Sequence, residues 1–398
     1  METRLAWYLV SSASFVIPLG VGQLLLPWLL AIYLEESATR IGLAQMIAQL
    51  PVVMLVLWGG WLGDRMDQRR LLIYLTGIMT IPPLVLAAIF YWGSVTYLVV
   101  VLYSVIMGCF MAFVQPARDA LVNRVAGQRI QQVVTITVGL QWGVQIIGFA
   151  IGSTADFVGP TILLLLISLF MGAAMLAVKL IPPLEEIENE ATDGIVSQIK
   201  DGLRIAWINL KIRTAMLQIL ALAVFFSGAY LVLLPVMIRE LYGGGSLGLA
   251  GGFGFNLAGT VLATLVLMKT GRIRYPGRAL IFGTVFSCSF LLTLTLPLVD
   301  WLFYLILFFW GAGGGLIVIM SRSIVQENAP DTHRARIMSI FSLAMMGGSP
   351  IGSLLMGLLI DQVGVHMATL FPVIGMIITA LFLVVRLPLW AIQSASVN

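Results

Sequence analysis

The sequence contains little charge. Only 10% of its 398 residues are Asp, Glu, Lys or Arg, and 60% are hydrophobic. A soluble domain of ordinary composition carries about 25% charged residues. The shortage therefore excludes an ordinary water-soluble domain, and a hydrophobic excess of this size requires a lipid bilayer.

Cysteine and histidine are also scarce, with two of each. Cys109 and Cys288 both lie in apolar stretches, where a thiol is expected to pack rather than to form a disulfide or bind a metal. His333 and His366 have no partner at a metal-ligand spacing. Because no nucleophile–base pair is evident either, the sequence predicts no enzyme, no cofactor and no metal site.

Long apolar runs fill most of the chain. A helix needs roughly 20 apolar residues to cross a bilayer, whereas barrel strands alternate over about ten residues. The runs here are unbroken, so helices are predicted. The first run is too long for a signal peptide and is predicted to be a membrane helix. The twelve predicted spans are 5–34, 41–62, 71–92, 94–115, 130–153, 160–181, 213–239, 247–268, 278–297, 300–320, 337–360 and 367–387.

The basic residues indicate the orientation of these spans. If the amino terminus is cytoplasmic, 20 of the 22 Lys and Arg fall on cytoplasmic segments, and only Arg40 and Arg239 fall outside. Cytoplasmic loops retain positive charge because it resists translocation. The pattern predicts a multi-pass protein of the cell (inner) membrane with both termini cytoplasmic. The basic balance is therefore a topology signal, and no nucleic acid is expected as a partner.

The chain carries an internal repeat. Similar features recur in order at offsets of 204 to 208 residues, which indicates a duplication. The matching pairs are Gly20/Gly228, Pro27/Pro235, Gly42/Gly248, Arg118/Arg322, Gly152/Gly357, Asp156/Asp361 and Gly159/Gly364. The predicted domains are two six-helix halves, 1–181 and 213–398, joined by a cytoplasmic linker, 182–212, with an amphipathic helix. Duplicated halves of this size are typical of transporters.

The loop after the second span carries a motif. Its residues Gly60, Leu62, Asp64, Arg65 and Arg69 resemble the cytoplasmic loop motif of the major facilitator superfamily. Many members have glycine where this sequence has Asp67. This acidic variant of the motif resembles that of the exporter branch, which contains macrolide-efflux proteins and enterobactin exporters. The resemblance implies an all-α membrane fold of twelve transmembrane helices in two pseudo-symmetric six-helix bundles.

The same motif predicts a conformational gate. By the resemblance, Asp64 faces the positive amino-terminal end of the eleventh helix, a contact that forms in one conformation only. The repeat adds a second charged cluster on the same side of the membrane. The alternative is that these charges only flank the spans and set the topology. The predicted gate residues are Gly60, Asp64, Arg65, Arg69, Arg70, Arg118, Asp119, Arg322, Glu327 and Arg336.

A substrate cavity is predicted from polar and aromatic residues inside the spans. The resemblance implies that the first, fourth, seventh and tenth helices line it. An amide in lipid is costly, so amides within spans are expected to face the bundle interior. The alternative is that they only bond neighbouring helices. The predicted cavity residues are Gln23, Gln45, Gln49, Gln141, Trp142, Gln145, Phe226, Tyr230, Asn256 and Trp310.

The predicted function follows from this uncharged cavity. An apolar, aromatic wall with a few amides suits a large amphipathic or neutral molecule, and the lack of charge disfavours strongly anionic ones. We therefore expect a monomeric secondary transporter that exports hydrophobic or amphipathic small molecules by alternating access. Its partners are that small molecule and the lipid bilayer. No ionisable residue is expected deep in a span, so protons are a coupling ion only if peripheral acids such as Asp64, Asp119 or Glu327 carry them. The alternative to coupled transport is a facilitator. The alternatives are a lipid or lysolipid translocator and a non-transporting membrane sensor.

Overall fold

The computed structural model is helical throughout the part of the chain that it describes, with no strand. The described residues are 2–126, 130–182, 203–271, 273–330 and 333–394. The helices are α1 (Glu2–Trp28), α2 (Ala38–Arg65), α3 (Gln68–Ile78), α4 (Ile81–Tyr91), α5 (Tyr97–Ala126), α6 (Ile130–Gly152), α7 (Ala155–Lys179), α8 (Leu210–Gly228), α9 (Leu234–Tyr242), α10 (Ser246–Thr270), α11 (Pro276–Thr293), α12 (Asp300–Asn328), α13 (Arg334–Ala368) and α14 (Leu370–Arg386). The predicted all-α fold is confirmed.

Most of the predicted spans are found as long apolar helices. Within the described ranges, 10 helices are long and apolar enough to cross a membrane. They correspond to all predicted spans except the fifth and the twelfth. The fifth matches α6, and the twelfth matches α14, which is apolar but shorter. The count of twelve crossings therefore stays a prediction.

Several span boundaries differ from the prediction. The tenth span was expected to end at residue 320, but α12 continues to Asn328. The third span is divided into α3 and α4, because the Pro82–Pro83 pair at the start of α4 lacks the N–H groups that a continuous helix would use. The fourth span was expected to end at residue 115, but α5 continues to Ala126. As a result, Arg118 lies inside a helix and not in the loop after it.

The internal repeat reappears in the backbone. Gly159 has φ 78° and ψ 160°, and its repeat partner Gly364 has φ 81° and ψ 164°. Glycine adopts a positive φ readily because it has no Cβ. Both glycines sit at kinks inside helices, so the two halves share a turn of the same geometry.

Closely packed helix pairs are also repeated. A Cβ on Gly20 would lie 2.8 Å from the Gln145 carbonyl oxygen, and one on Gly148 would lie 2.7 Å from the Ile17 carbonyl oxygen. In the second half, a Cβ on Gly228 would collide with the backbone of Gly352. Helices whose backbones meet through small residues approach unusually closely. Thus α1 packs on α6 in the way that α8 packs on α13.

The helices form two compact units. The first comprises Met1–Glu36, Ile47–Thr192 and Gly244–Ala250, and the second comprises Ser37–Met46, Asp193–Gly243 and Gly251–Asn398. Hence the start of α2 belongs to the second unit, and the start of α10 belongs to the first. Most of the predicted linker, at 183–202, lies outside the described residues. The predicted domain boundaries stay a prediction.

Candidate functional site

The gate loop contains a helix cap. Asp67 precedes α3, and its carboxylate accepts hydrogen bonds from the backbone N–H of Arg69 at 2.8 Å and of Arg70 at 3.1 Å. An aspartate at this position satisfies N–H groups that have no partner within the helix. Asp67 is therefore the N-cap of α3 and fixes where the loop ends and the helix begins. An Asp directly before a helical pattern was a signal for this cap that the sequence analysis missed.

The cap is expected to contribute measurably to stability. Asp67→Ala should cost about 1 kcal/mol, because two backbone N–H groups lose their acceptor. Asp67→Ser keeps a capping oxygen and should recover most of that loss. Thermal unfolding of the detergent-solubilised protein, followed by tryptophan fluorescence, compares the three chains. Equal losses in both variants would contradict a capping role.

The other residues of the predicted gate loop lie at the end of α2 and the start of α3. Gly60 has open space around it, whereas the neighbouring Gly59 meets the backbone of Ala112 in α5 too closely for a Cβ. Asp64 and Arg65 are the last residues of α2, and their side chains lie outside the described part. The contact predicted for Asp64 therefore stays a prediction.

The two arginines that follow differ in their surroundings. Arg69 Nη2 donates to the carbonyl oxygen of Lys179 at 2.6 Å, whereas Arg70 is exposed. Lys179 ends α7, where carbonyl groups lack helical partners and attract cations. Arg69 thus ties the start of α3 to the end of α7 within the first unit.

Arg118 and Asp119 lie in contrasting environments. Arg118 is only 3% exposed, and its guanidinium carbon is 4.4 Å from the centre of the Phe15 ring on α1. Asp119 is exposed and accepts a hydrogen bond from Gln115 Nε2 at 3.3 Å. Arg118 is thus buried within α5, three residues beyond the predicted end of the fourth span at residue 115.

The predicted gate residues of the second half lie on α12 and α13. Arg322 is exposed, and Arg336 is half-buried. The carboxylate of Glu327 accepts hydrogen bonds from Ser323 Oγ at 3.3 Å and from Ser394 Oγ at 2.7 Å. Ser394 thereby joins the carboxyl-terminal segment to the end of α12, a contact that no sequence pattern indicated.

Two predicted cavity amides meet in the first unit. Gln145 Nε2 on α6 donates to Gln23 Oε1 on α1 at 3.0 Å. One turn earlier on α6, Gln141 is half-buried and Trp142 is 46% exposed. Gln49, on α2, is half-buried. The structure thus brings Gln23 and Gln145 into direct contact.

Aromatic residues cluster in the second unit. The ring centres of Phe226 and Trp310 are 5.8 Å apart, those of Tyr230 and Trp310 are 6.4 Å apart, and Tyr230 also contacts Phe253. Asn256 Nδ2 donates to the carbonyl oxygen of Leu307 at 3.2 Å. This bond ties α10 to α12. Asn256 therefore does what the alternative to a cavity role predicted, which is that amides within spans bond neighbouring helices. A further predicted cavity residue, Gln45 at the start of α2, is buried.

A carboxylate caps α10 in the first unit. Asp156 Oδ2 accepts hydrogen bonds from the backbone N–H of Ser246 at 2.5 Å and from its Oγ at 2.8 Å. Asp156 Oδ1 accepts another from Trp28 Nε1 at 2.7 Å. Negative charge is favourable at the positive end of a helix. Asp156 therefore joins the start of α10 to α1 and α7.

The repeat partner of Asp156 makes the corresponding contact in the second unit. Asp361 on α13 accepts hydrogen bonds from the backbone N–H of Ala38 at 3.1 Å and of Thr39 at 2.9 Å. It thereby caps α2. The sequence analysis used both aspartates only as markers of the duplication. An acid retained at the same offset in both halves was a signal for this role.

Comparisons with known proteins agree with this architecture. A family model described as transmembrane secretion effector matches residues 13–398. The staphyloferrin A transporter of Staphylococcus aureus (strain NCTC 8325 / PS 47) is 25% identical over 366 residues, which cover 89% of each chain. An auto-inhibited peptide transporter of the POT family superposes with a TM-score of 0.76 at 12% identity, covering 99% of this chain and 98% of that one. The nucleoside transporter NupG superposes with a TM-score of 0.71 at 13% identity, covering 96% of this chain and 98% of that one. At such identities, these solved structures establish a shared fold alone.

Proposed function

Because the chain belongs to the transmembrane secretion effector family, and is thus a multi-pass membrane transporter of the major facilitator type, we propose that it exports hydrophobic or amphipathic small molecules by alternating access. The family description supports the outward direction. The relative named for staphyloferrin A supports a siderophore-like organic molecule as one such substrate. Like its relatives, the protein is a transporter and not an enzyme.

The two repeat-related caps are the observation that carries alternating access. Asp156 and Asp361 join helix ends by hydrogen bonds alone, which break and re-form without any covalent step. By the predicted topology, both carboxylates lie at the external ends of their helices. We therefore assign them to an external closure and assign the loop that ends at Asp64 and Arg65 to the cytoplasmic one.

Two groups of side chains are proposed to contact substrate, each within its own unit. The Gln23–Gln145 pair offers amide donors and acceptors to a polar group. The aromatic cluster of Phe226, Tyr230 and Trp310 offers apolar rings to the rest of the molecule.

The remaining parts of the proposal concern energy and placement. We propose proton coupling through an acid outside the apolar centre of the spans. The candidates whose side chains the structure describes are Asp119, which is exposed, and Glu327, which is half-buried.

We also propose a monomer in the inner membrane with both termini cytoplasmic. Green fluorescent protein fused after Asn398 should fluoresce, because it folds in the cytoplasm.

Transport in proteoliposomes tests the proposal. Purified protein is reconstituted and assayed with erythromycin, enterobactin and a fluorescent lysolipid, with and without a pH gradient. We expect movement of at least one of the two organic compounds, accelerated by the gradient. Movement of the lysolipid alone would replace the proposal by lipid translocation. Transport that ignores the gradient would remove proton coupling, and no transport at all would favour a sensor.

A further inference from the structure

Arg118 is the most unusual polar residue of the first unit. Its side chain is buried, yet neither Nη1 nor Nη2 has a hydrogen-bond partner in the described ranges. A guanidinium stays charged at all physiological pH values. A buried charge is strongly destabilising unless a partner of opposite charge or a set of hydrogen bonds compensates it. Arg118 therefore calls for an anionic partner.

One face of α1 lies against this guanidinium. Tyr8, Ser11, Ser12 and Phe15 are spaced i, i+3, i+4 and i+7, which places them on the same side of the helix. The two ends of this face contact Arg118. The Tyr8 hydroxyl donates to its carbonyl oxygen at 3.5 Å, and the Phe15 ring packs on its guanidinium.

The two serines between these contacts are also without partners. Ser11 is 1% exposed and Ser12 is 0% exposed. In the described part of the chain, neither hydroxyl oxygen has a hydrogen-bond partner. Buried hydroxyls nearly always form hydrogen bonds. Two hydroxyls and two guanidinium nitrogens are thus available in one small region of α1 and α5.

We propose that Arg118, Ser11 and Ser12 bind a carboxylate group of the transported molecule. The guanidinium carbon lies 4.4 Å from the centre of the Phe15 ring, and the N–H groups of Nη1 and Nη2, along one edge of the guanidinium, have no hydrogen-bond partner in the described part of the chain. A carboxylate matches that edge with two parallel hydrogen bonds. The serine hydroxyls supply further donors. This inference rests on the proposed export function and adds amphipathic molecules that carry a carboxylate to its substrates.

Asp119 attracts Arg118 electrostatically, but it forms no hydrogen bond with Nη1 or Nη2. It follows Arg118 directly, so its side chain leaves the helix about 100° away. It is exposed, and Gln115 already donates to it. A substrate with a carboxylate differs from the amphipathic or neutral molecule without strong negative charge that the sequence favoured. The sequence analysis ended the fourth span before Arg118 and so counted no buried cation in the first unit.

Ligand binding to the full-length protein in detergent tests the site. Benzoate is the probe, and benzamide is its neutral analogue of the same shape, both titrated at constant ionic strength. Benzoate should raise the melting temperature saturably, and benzamide should not. Arg118→Gln should weaken benzoate binding on the order of 10-fold to 100-fold, because hydrogen bonds to a charged group are lost.

Matched variants separate the site from general charge effects. Arg124 lies on the same helix and donates to Gln68 Oε1 at 2.5 Å, so Arg124→Gln should leave benzoate binding unchanged. The double variant Ser11→Ala with Ser12→Ala keeps the charge and should weaken binding several-fold. It serves as the measurement if Arg118→Gln does not fold.

Two results would overturn the proposal: equal stabilisation by benzoate and benzamide, or unchanged benzoate binding in both the Arg118 and the double serine variants. Transport assays keep this outcome apart from the proposed function. Export of a neutral compound without benzoate binding would refute the site alone. Benzoate binding without any transport would refute export alone and leave the carboxylate site standing.

Discussion

Asp156→Ala is expected to lower the free energy of unfolding by roughly 2–4 kcal/mol, because buried donors that lose their acceptor each cost about 1–3 kcal/mol and do not add fully. The donors are the backbone N–H of Ser246, which is 0% exposed, and Nε1 of Trp28, which is 4% exposed. The Ser246 hydroxyl keeps the carbonyl oxygen of Ser153, at 2.6 Å, as an acceptor. Thermal unfolding in detergent, followed by tryptophan fluorescence, measures the loss.

A surface carboxylate provides the control for this substitution. Glu240 pairs with its neighbour Arg239 at 2.8 Å, and its side chain is 43% exposed. Exposed pairs of this kind contribute about 0–1 kcal/mol, so Glu240→Ala should change little. Asp156→Asn, which keeps one acceptor oxygen, should fall between the two. If Asp156→Ala is no worse than Glu240→Ala, Asp156 does not hold α10.

The second large effect is expected at the contact between α1 and α6. Gly20→Val should cost about 3 kcal/mol or more, because overpacking at a backbone contact forces two helices apart. A Cβ on Gly20 would lie 2.8 Å from the Gln145 carbonyl oxygen and 2.9 Å from the Gly148 Cα. Neither backbone atom can rotate away as a side chain can. The same displacement would separate Gln23 from Gln145.

A glycine two residues further along provides the matched control. A Cβ on Gly22 would meet nothing within 4 Å, so Gly22→Val makes the same change in helix propensity without a collision. Size-exclusion profiles and melting curves should be close to those of the original chain for Gly22→Val and strongly altered for Gly20→Val. Equal damage in both variants would show that added bulk on this part of α1, and not the close approach to α6, decides the outcome.

The sequence by itself determined the architecture. Hydrophobic excess and run length are local properties, and in lipid they leave the helix as the way to satisfy a spanning backbone. The duplication was equally visible, because Gly159 and Gly364 recur at the common offset of the repeat, and the structure gives both the same backbone turn. The end of α5 was less predictable, since the apolar run stops several residues before the helix does.

The tertiary structure alone decided which distant side chains meet. Asp156 and Ser246 are 90 residues apart, and Gln23 and Gln145 are 122 apart, so helix packing and not periodicity joins them. The sequence placed Gln145 on an inward face without naming its partner. It placed Arg118 in a loop, where water would solvate its charge. Packing of α5 against the Tyr8–Phe15 face instead buries that charge, and a buried arginine needs a partner that an exposed one does not.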